Sequence, residues 1–131
     1  MPAPVNVYAP SVATAVTDGG AVETVVLTTK PINTDTVQKT VTLSGWVNIT
    51  TGTAGTAVVV KVRRGSATTG HQVGETVTTT TTATDDYTIG FSFSDEPGES
   101  AGIVYSITVT ETAATADGTV NVAALSAVVS Q

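Results

Sequence analysis

Apolar residues return at every second position in segment after segment of this chain, and nothing constrains its fold more. In KTVTLSGWVNIT (residues 39–50), Val41, Leu43, Val47 and Ile49 share one parity, with Gly45 among them. Thr40, Thr42, Ser44, Trp46 and Asn48 share the other. Side chains alternate across a strand, so this spacing describes a strand with one core face. The pattern recurs in AVVVKVRR (57–64), where Val58, Val60 and Val62 oppose Lys61 and Arg63. It recurs again in YTIGFSFS (87–94), aligning Tyr87, Ile89, Phe91 and Phe93, and in VYSITVTE (104–111), aligning Tyr105, Ile107 and Val109. Residues 22–29 read as a strand apolar on both sides, and a short strand is expected near residues 12–16. From Thr119 to Ser130 the apolar parity slips near Ala123 and Ala124, which a β-bulge would absorb. No stretch of useful length carries the i, i+3, i+4 spacing of a helix.

The run ETVTTTTTATDD (75–86) could be a stalk or a strand. It has no proline and lies mid-chain between strong strand signals, unlike a mucin-type tract. Threonine keeps the β-branch that suits a pleated surface and adds a hydroxyl that water satisfies. The expectation is a strand over about Glu75 to Thr82, at a sheet edge or on an outer face. Turn signals at Asp18-Gly19-Gly20, Gly52 to Gly55, Gly65 to Gly70, Pro97-Gly98 and Asp117-Gly118 separate the strands. About eight strands and no significant helix give an all-β fold: a two-sheet antiparallel β-sandwich, jelly-roll-like. Residues 1–17 read as an extended N-terminal arm and 18–131 as a single β-sandwich domain.

Composition narrows the function. Charged residues are 12% of the chain and the formal net charge is −6, which disfavours nucleic acid. Cysteine is absent, excluding disulfides and thiolate metal sites. No apolar run approaches a membrane span. The start, with Pro2, Pro4 and Pro10 and no basic residue, does not resemble a signal peptide, so synthesis in the cytosol without ordinary export is expected. No catalytic, cofactor-binding or metal-binding residue is assigned. His71, the one histidine, lies in a glycine-bounded loop without a recognisable nucleophile or orienting acid. Asp85-Asp86 and the loop containing Asp95, Glu96 and Glu99 match no EF-hand spacing and read as solvated turns. Asn48-Ile49-Thr50 is a formal glycosylation sequon in mid-strand, and reads as chance.

The candidates are therefore interaction residues. Trp46 falls on the non-core parity of its strand, which marks a subunit interface or a site covered by the chain's own arm or loops. Lys61, Arg63 and Arg64 hold three of the five basic residues, either facing an acidic neighbour or ending a strand in water. The uncharged arm carries Val5, Val7, Tyr8 and Val12 between prolines that keep it extended, so it loses little entropy on docking against a neighbouring subunit.

The segments ETVVLTTKPI, TVTLSGWVNITTGTAGTAVVVKVRRG, PGESAGIVYSITVT and GTVNVAALSAVVSQ give the chain, from about Val22 to Gln131, a texture similar to a known group. It resembles the small jelly-roll capsid decoration (cement) and head-associated proteins of tailed bacteriophages. That resemblance implies a non-enzymatic structural virion protein on the capsid surface, a homotrimer bound to the major capsid protein. It transfers no functional residue. The alternative is a receptor- or carbohydrate-binding module of a phage fibre or tail.

Overall fold

A computed structural model describes residues 5–9, 14–15, 22–52, 57–112 and 118–130. Among these residues there are strands and no helix. The strands are β1 (Val5–Ala9), β2 (Thr14–Ala15), β3 (Thr24–Thr28), β4 (Ile32–Thr34), β5 (Thr40–Thr50), β6 (Ala57–Arg64), β7 (Gln72–Thr80), β8 (Asp86–Asp95), β9 (Ser100–Ile103), β10 (Tyr105–Thr112) and β11 (Thr119–Ser130). One sheet has the order β1-β11-β5-β8, with β2 also on β11, and the other has the order β3-β10-β6-β7. All pairings are antiparallel. A third, two-stranded sheet, β4-β9, was not expected from the sequence.

β1 places Val5 opposite Val129 and Ala9 opposite Leu125, and β2 places Thr14 opposite Val120 in continuing register. The two are therefore segments of one edge along β11. Counted so, the principal strands pass between the two sheets in the winding of a jelly roll. Within residues 1–17, β1 and β2 pair with β11.

The inner faces follow the alternation. Val41, Leu43, Val47 and Ile49 from β5, Val58, Val60 and Val62 from β6, and Tyr105, Ile107 and Val109 from β10 are all buried. From β11 come Val120, Ala123, Leu125, Ala127 and Val129. Each buried valine, leucine or isoleucine contributes about 1.5–3 kcal/mol relative to exposure. The bulge in β11 lies between Val120 and Val122, slightly before the expected slip, and turns Val122 out of the core. Gly45 occupies an inward position because β11 crosses too closely for a side chain: a Cβ there would strike the Ala124 carbonyl and come within 2.9 Å of the Phe91 ring.

The threonine run is a strand and a sheet edge, β7, shifted toward its N-terminus from the expected span, with Thr76, Thr78 and Thr80 exposed. Tyr87, Phe91 and Phe93, expected to be buried, are only half-buried. Their parity is correct, but β8 ends its sheet, and among the described residues no strand pairs with its far side.

Candidate assembly surfaces

The three basic candidates are engaged within the chain. Arg63 clasps Glu23 with Nε and Nη2 at 2.6 and 2.9 Å and donates from Nη1 to the Gly70 carbonyl at 2.8 Å. Lys61 stands 3.9 Å from the same carboxylate. The Arg63 pair, outweighing the cost of burial, holds the Glu23 carboxyl below its ordinary value. Arg64 donates from Nε and Nη2 to Asp95 at 2.9 and 2.7 Å, and the Tyr105 hydroxyl donates to Asp95 Oδ2 at 2.8 Å. This cluster ties the end of β8 in one sheet to β6 and β10 in the other. Burial alone would raise the Asp95 carboxyl, but the Arg64 and Tyr105 hydrogen bonds overcome it and hold the group low. Burial, and then the neighbouring Asp95 charge, push the Tyr105 phenol well above its usual range. These geometries are those of structural clasps: bidentate, short and mutually satisfied.

Asp95, read from sequence as part of a solvated turn, is thus a largely buried partner. No sequence motif marks Glu23 or Glu111. Glu111 is fully buried, and its two oxygens accept the backbone N–H groups of Gly52 at 2.8 Å and Gly118 at 3.1 Å. A Cβ on Gly118 would lie 2.6 Å from Glu111 Oε2. The alternation carried the signal, since Glu111 shares the inward parity of Tyr105, Ile107 and Val109. Thr51 performs a similar tie at the same end, donating from Oγ1 to the Thr82 carbonyl at 2.6 Å and accepting from the Asp85 N–H at 3.0 Å.

Trp46 is where its parity places it, in the middle of the outer face of β5 and 40% exposed. Opposite it are Gly90 on β8 and Ala124 on β11. Around it the face is neutral and polar. Ser44 and Ser92 meet at 3.2 Å, Asn48 donates to Thr88 at 3.1 Å, and Asn121 donates to both Asn48 and Thr50 at 2.9 Å. Val5, Val7 and Tyr8 take register positions opposite Val129, Ala127 and Ser126 of the same chain, and Val12 lies outside the described residues. His71 is exposed. Among the described residues no three His, Asp or Glu side chains converge as metal ligands would.

No protein-family profile and no curated protein sequence matches this chain. Solved structures share its fold. The VP2 subviral particle of infectious bursal disease virus aligns with a TM-score of 0.61 and 11% identity, covering 97% of this chain and 33% of that one. The same virus's Gt strain aligns at 0.54 and 12%, covering 97% and 38%. The Eiger TNF of S. frugiperda aligns at 0.50 and 7%, covering 99% and 94%. The chain thus spans about a third of the viral chains it matches. At these identities the likeness is one of architecture: this is a β-sandwich of the kind found in a viral capsid protein.

Proposed function

We propose that this protein is a structural component of a virus particle, a decoration protein that binds and stabilises the capsid surface of a tailed bacteriophage. Its partner is the major capsid protein and its site of action the outer shell. It acts there as a homo-oligomer. The observation that carries this reading is the jelly roll itself, shared along almost the whole chain with a capsid protein. Its best-organised polar groups, Arg64–Asp95–Tyr105, Arg63–Glu23 and Glu111, clasp strands together instead of lining a reactive cleft. Non-enzymatic assembly is the activity such a molecule supports. Val5, Val7, Tyr8 and Val12 are the candidates for contact with a neighbouring subunit.

A second reading is favoured by one observation, the exposed indole of Trp46 among hydroxyls and amides, a surface on which a pyranose ring could stack. That would make the chain a carbohydrate-binding module of a fibre or tail. Co-sedimentation of the full chain with purified capsids, beside a glycan array, separates the two. Saturable capsid binding without glycan binding supports decoration. Glycan binding abolished by Trp46→Ala, with no capsid binding, replaces it with the second reading.

A further inference from the structure

Four principal strands end the two large sheets, and three of them carry features that discourage pairing with another chain. β7 has a register shift against β6 between Val60 and Val62, a glycine at φ 70° (Gly74) and an exposed Glu75. β3 spans five residues, shifts register against β10, and is followed by Lys30 and Pro31. The β1/β2 edge has Pro10 between its two parts. β8 has no register shift, proline or positive-φ glycine, and its two charged residues, Asp86 and Asp95, stand at its ends. It runs for ten residues in unbroken register with β5 and contains no proline, lysine or arginine, and among the described residues no strand pairs with its other edge. Thr88, Gly90, Ser92 and Ser94 on its outer face are exposed, and Tyr87, Phe91 and Phe93 on its inner face are only half-covered.

We infer that β8 is a strand-addition interface for a second copy of this chain, paired antiparallel about a two-fold axis at Gly90. A one-residue slip would set inward-facing side chains against outward-facing ones, so only registers that match the faces remain. The register centred on Gly90 sets Tyr87 opposite Phe93 of the second copy and Ile89 opposite its Phe91. Aromatic pairs of this kind stabilise adjacent strands, and they would complete the burial that β8 lacks as an edge. On the outer face, Trp46 lies opposite Gly90, and a Cβ there would find only the Gly45 carbonyl, at 3.8 Å. The second copy continues that glycine floor and brings its own Trp46 to the far side. The two tryptophans then stand three strand spacings apart, about 14 Å between backbones, with no side chain between them. Each can lean across the glycines toward the other, which accounts for an exposed indole on an otherwise polar face. The contact is isologous, so it closes at two copies and leaves neither β8 edge free to propagate.

This inference does not depend on the capsid reading, because it is tested without capsids. Light scattering and sedimentation of the full chain, from micromolar to millimolar, should show a monomer–dimer equilibrium, with Trp46 emission moving to the blue on association. Gly90→Glu and Gly90→Lys each place like charges on the two-fold axis and should weaken the dimer roughly tenfold or more, while an equimolar mixture recovers it. The chain has no native cysteine, so Thr88→Cys combined with Ser92→Cys tests the register directly. Positions 88 and 92 face each other only between copies, and mild oxidation should yield a covalent dimer even if the glycine variants fold poorly. A chain that stays single, a trimer, a dimer indifferent to both Gly90 variants, or a cysteine pair that never cross-links would overturn the inference.

Discussion

Asp95→Ala removes a carboxylate that ties the end of β8 in one sheet to β6 and β10 in the other. The structure separates its consequences. Tyr105 is fully buried, and its hydroxyl would lose its acceptor in a place that water does not reach. A buried polar group left unsatisfied costs about 1–3 kcal/mol. The Arg64 side chain is 31% exposed and can turn toward solvent, so its share is closer to that of a surface pair, about 0–1 kcal/mol. The total expected loss is about 1–4 kcal/mol. Tyr105→Phe removes only the donor and leaves the Arg64–Asp95 pair intact, for about 0.5–1.5 kcal/mol. The two changes should not add. Once Asp95 is gone the phenol is a liability, so Tyr105→Phe made in the Asp95→Ala background should be neutral or stabilising. Urea denaturation followed by far-ultraviolet circular dichroism measures all three variants. An Asp95→Ala loss below about 1 kcal/mol, or strict additivity with Tyr105→Phe, would refute the view that this cluster couples the sheets.

Glu111→Ala strands the N–H groups of Gly52 and Gly118 in a buried site and should cost about 2–4 kcal/mol by urea denaturation, whereas Glu111→Gln, which keeps an acceptor, should cost less. The depressed Asp95 and Glu23 carboxyls make a pH dependence. Their contribution is full above the unfolded values of about 3.9 and 4.3, and falls away as pH drops through the lower folded values. The raised Tyr105 phenol acts at the other end: its contribution holds below about pH 10 and is lost as pH climbs through its folded value. Melting temperature against pH should therefore fall at both extremes, and Tyr105→Phe should flatten the alkaline limb. Deleting residues 1–16 should lower the melting temperature and promote association, because it removes β1 and β2 and uncovers the β11 edge along residues 119–129. A truncated chain as stable and as soluble as the full one would mean that those pairings contribute nothing.

Much of this fold is legible in the sequence because a strand's side chains alternate whatever its neighbours are. Val41, Leu43, Val58, Val60, Ile107 and Val109 are assigned to the core by parity alone, and they are in the core. Parity does not report a strand's position within a sheet. Tyr87, Phe91 and Phe93 have the spacing of core residues, yet β8 lies at an edge. Pairing is likewise invisible to local pattern. The N-terminal arm looks unattached because its partner, β11, lies more than a hundred residues away along the chain. The basic cluster looked free because Glu23 and Asp95 reach it from distant loops and strand ends. Trp46 is the exception: an aromatic on the polar parity of a strong strand marks exposure directly.

The central claim, that this jelly roll stabilises a capsid by binding its surface, is most directly tested on the capsid itself. Purified capsids heated with and without a saturating excess of the full chain should differ, the decorated particles losing their contents at a higher temperature. An unchanged capsid transition at saturating chain, with no chain recovered on the particles, would contradict the account.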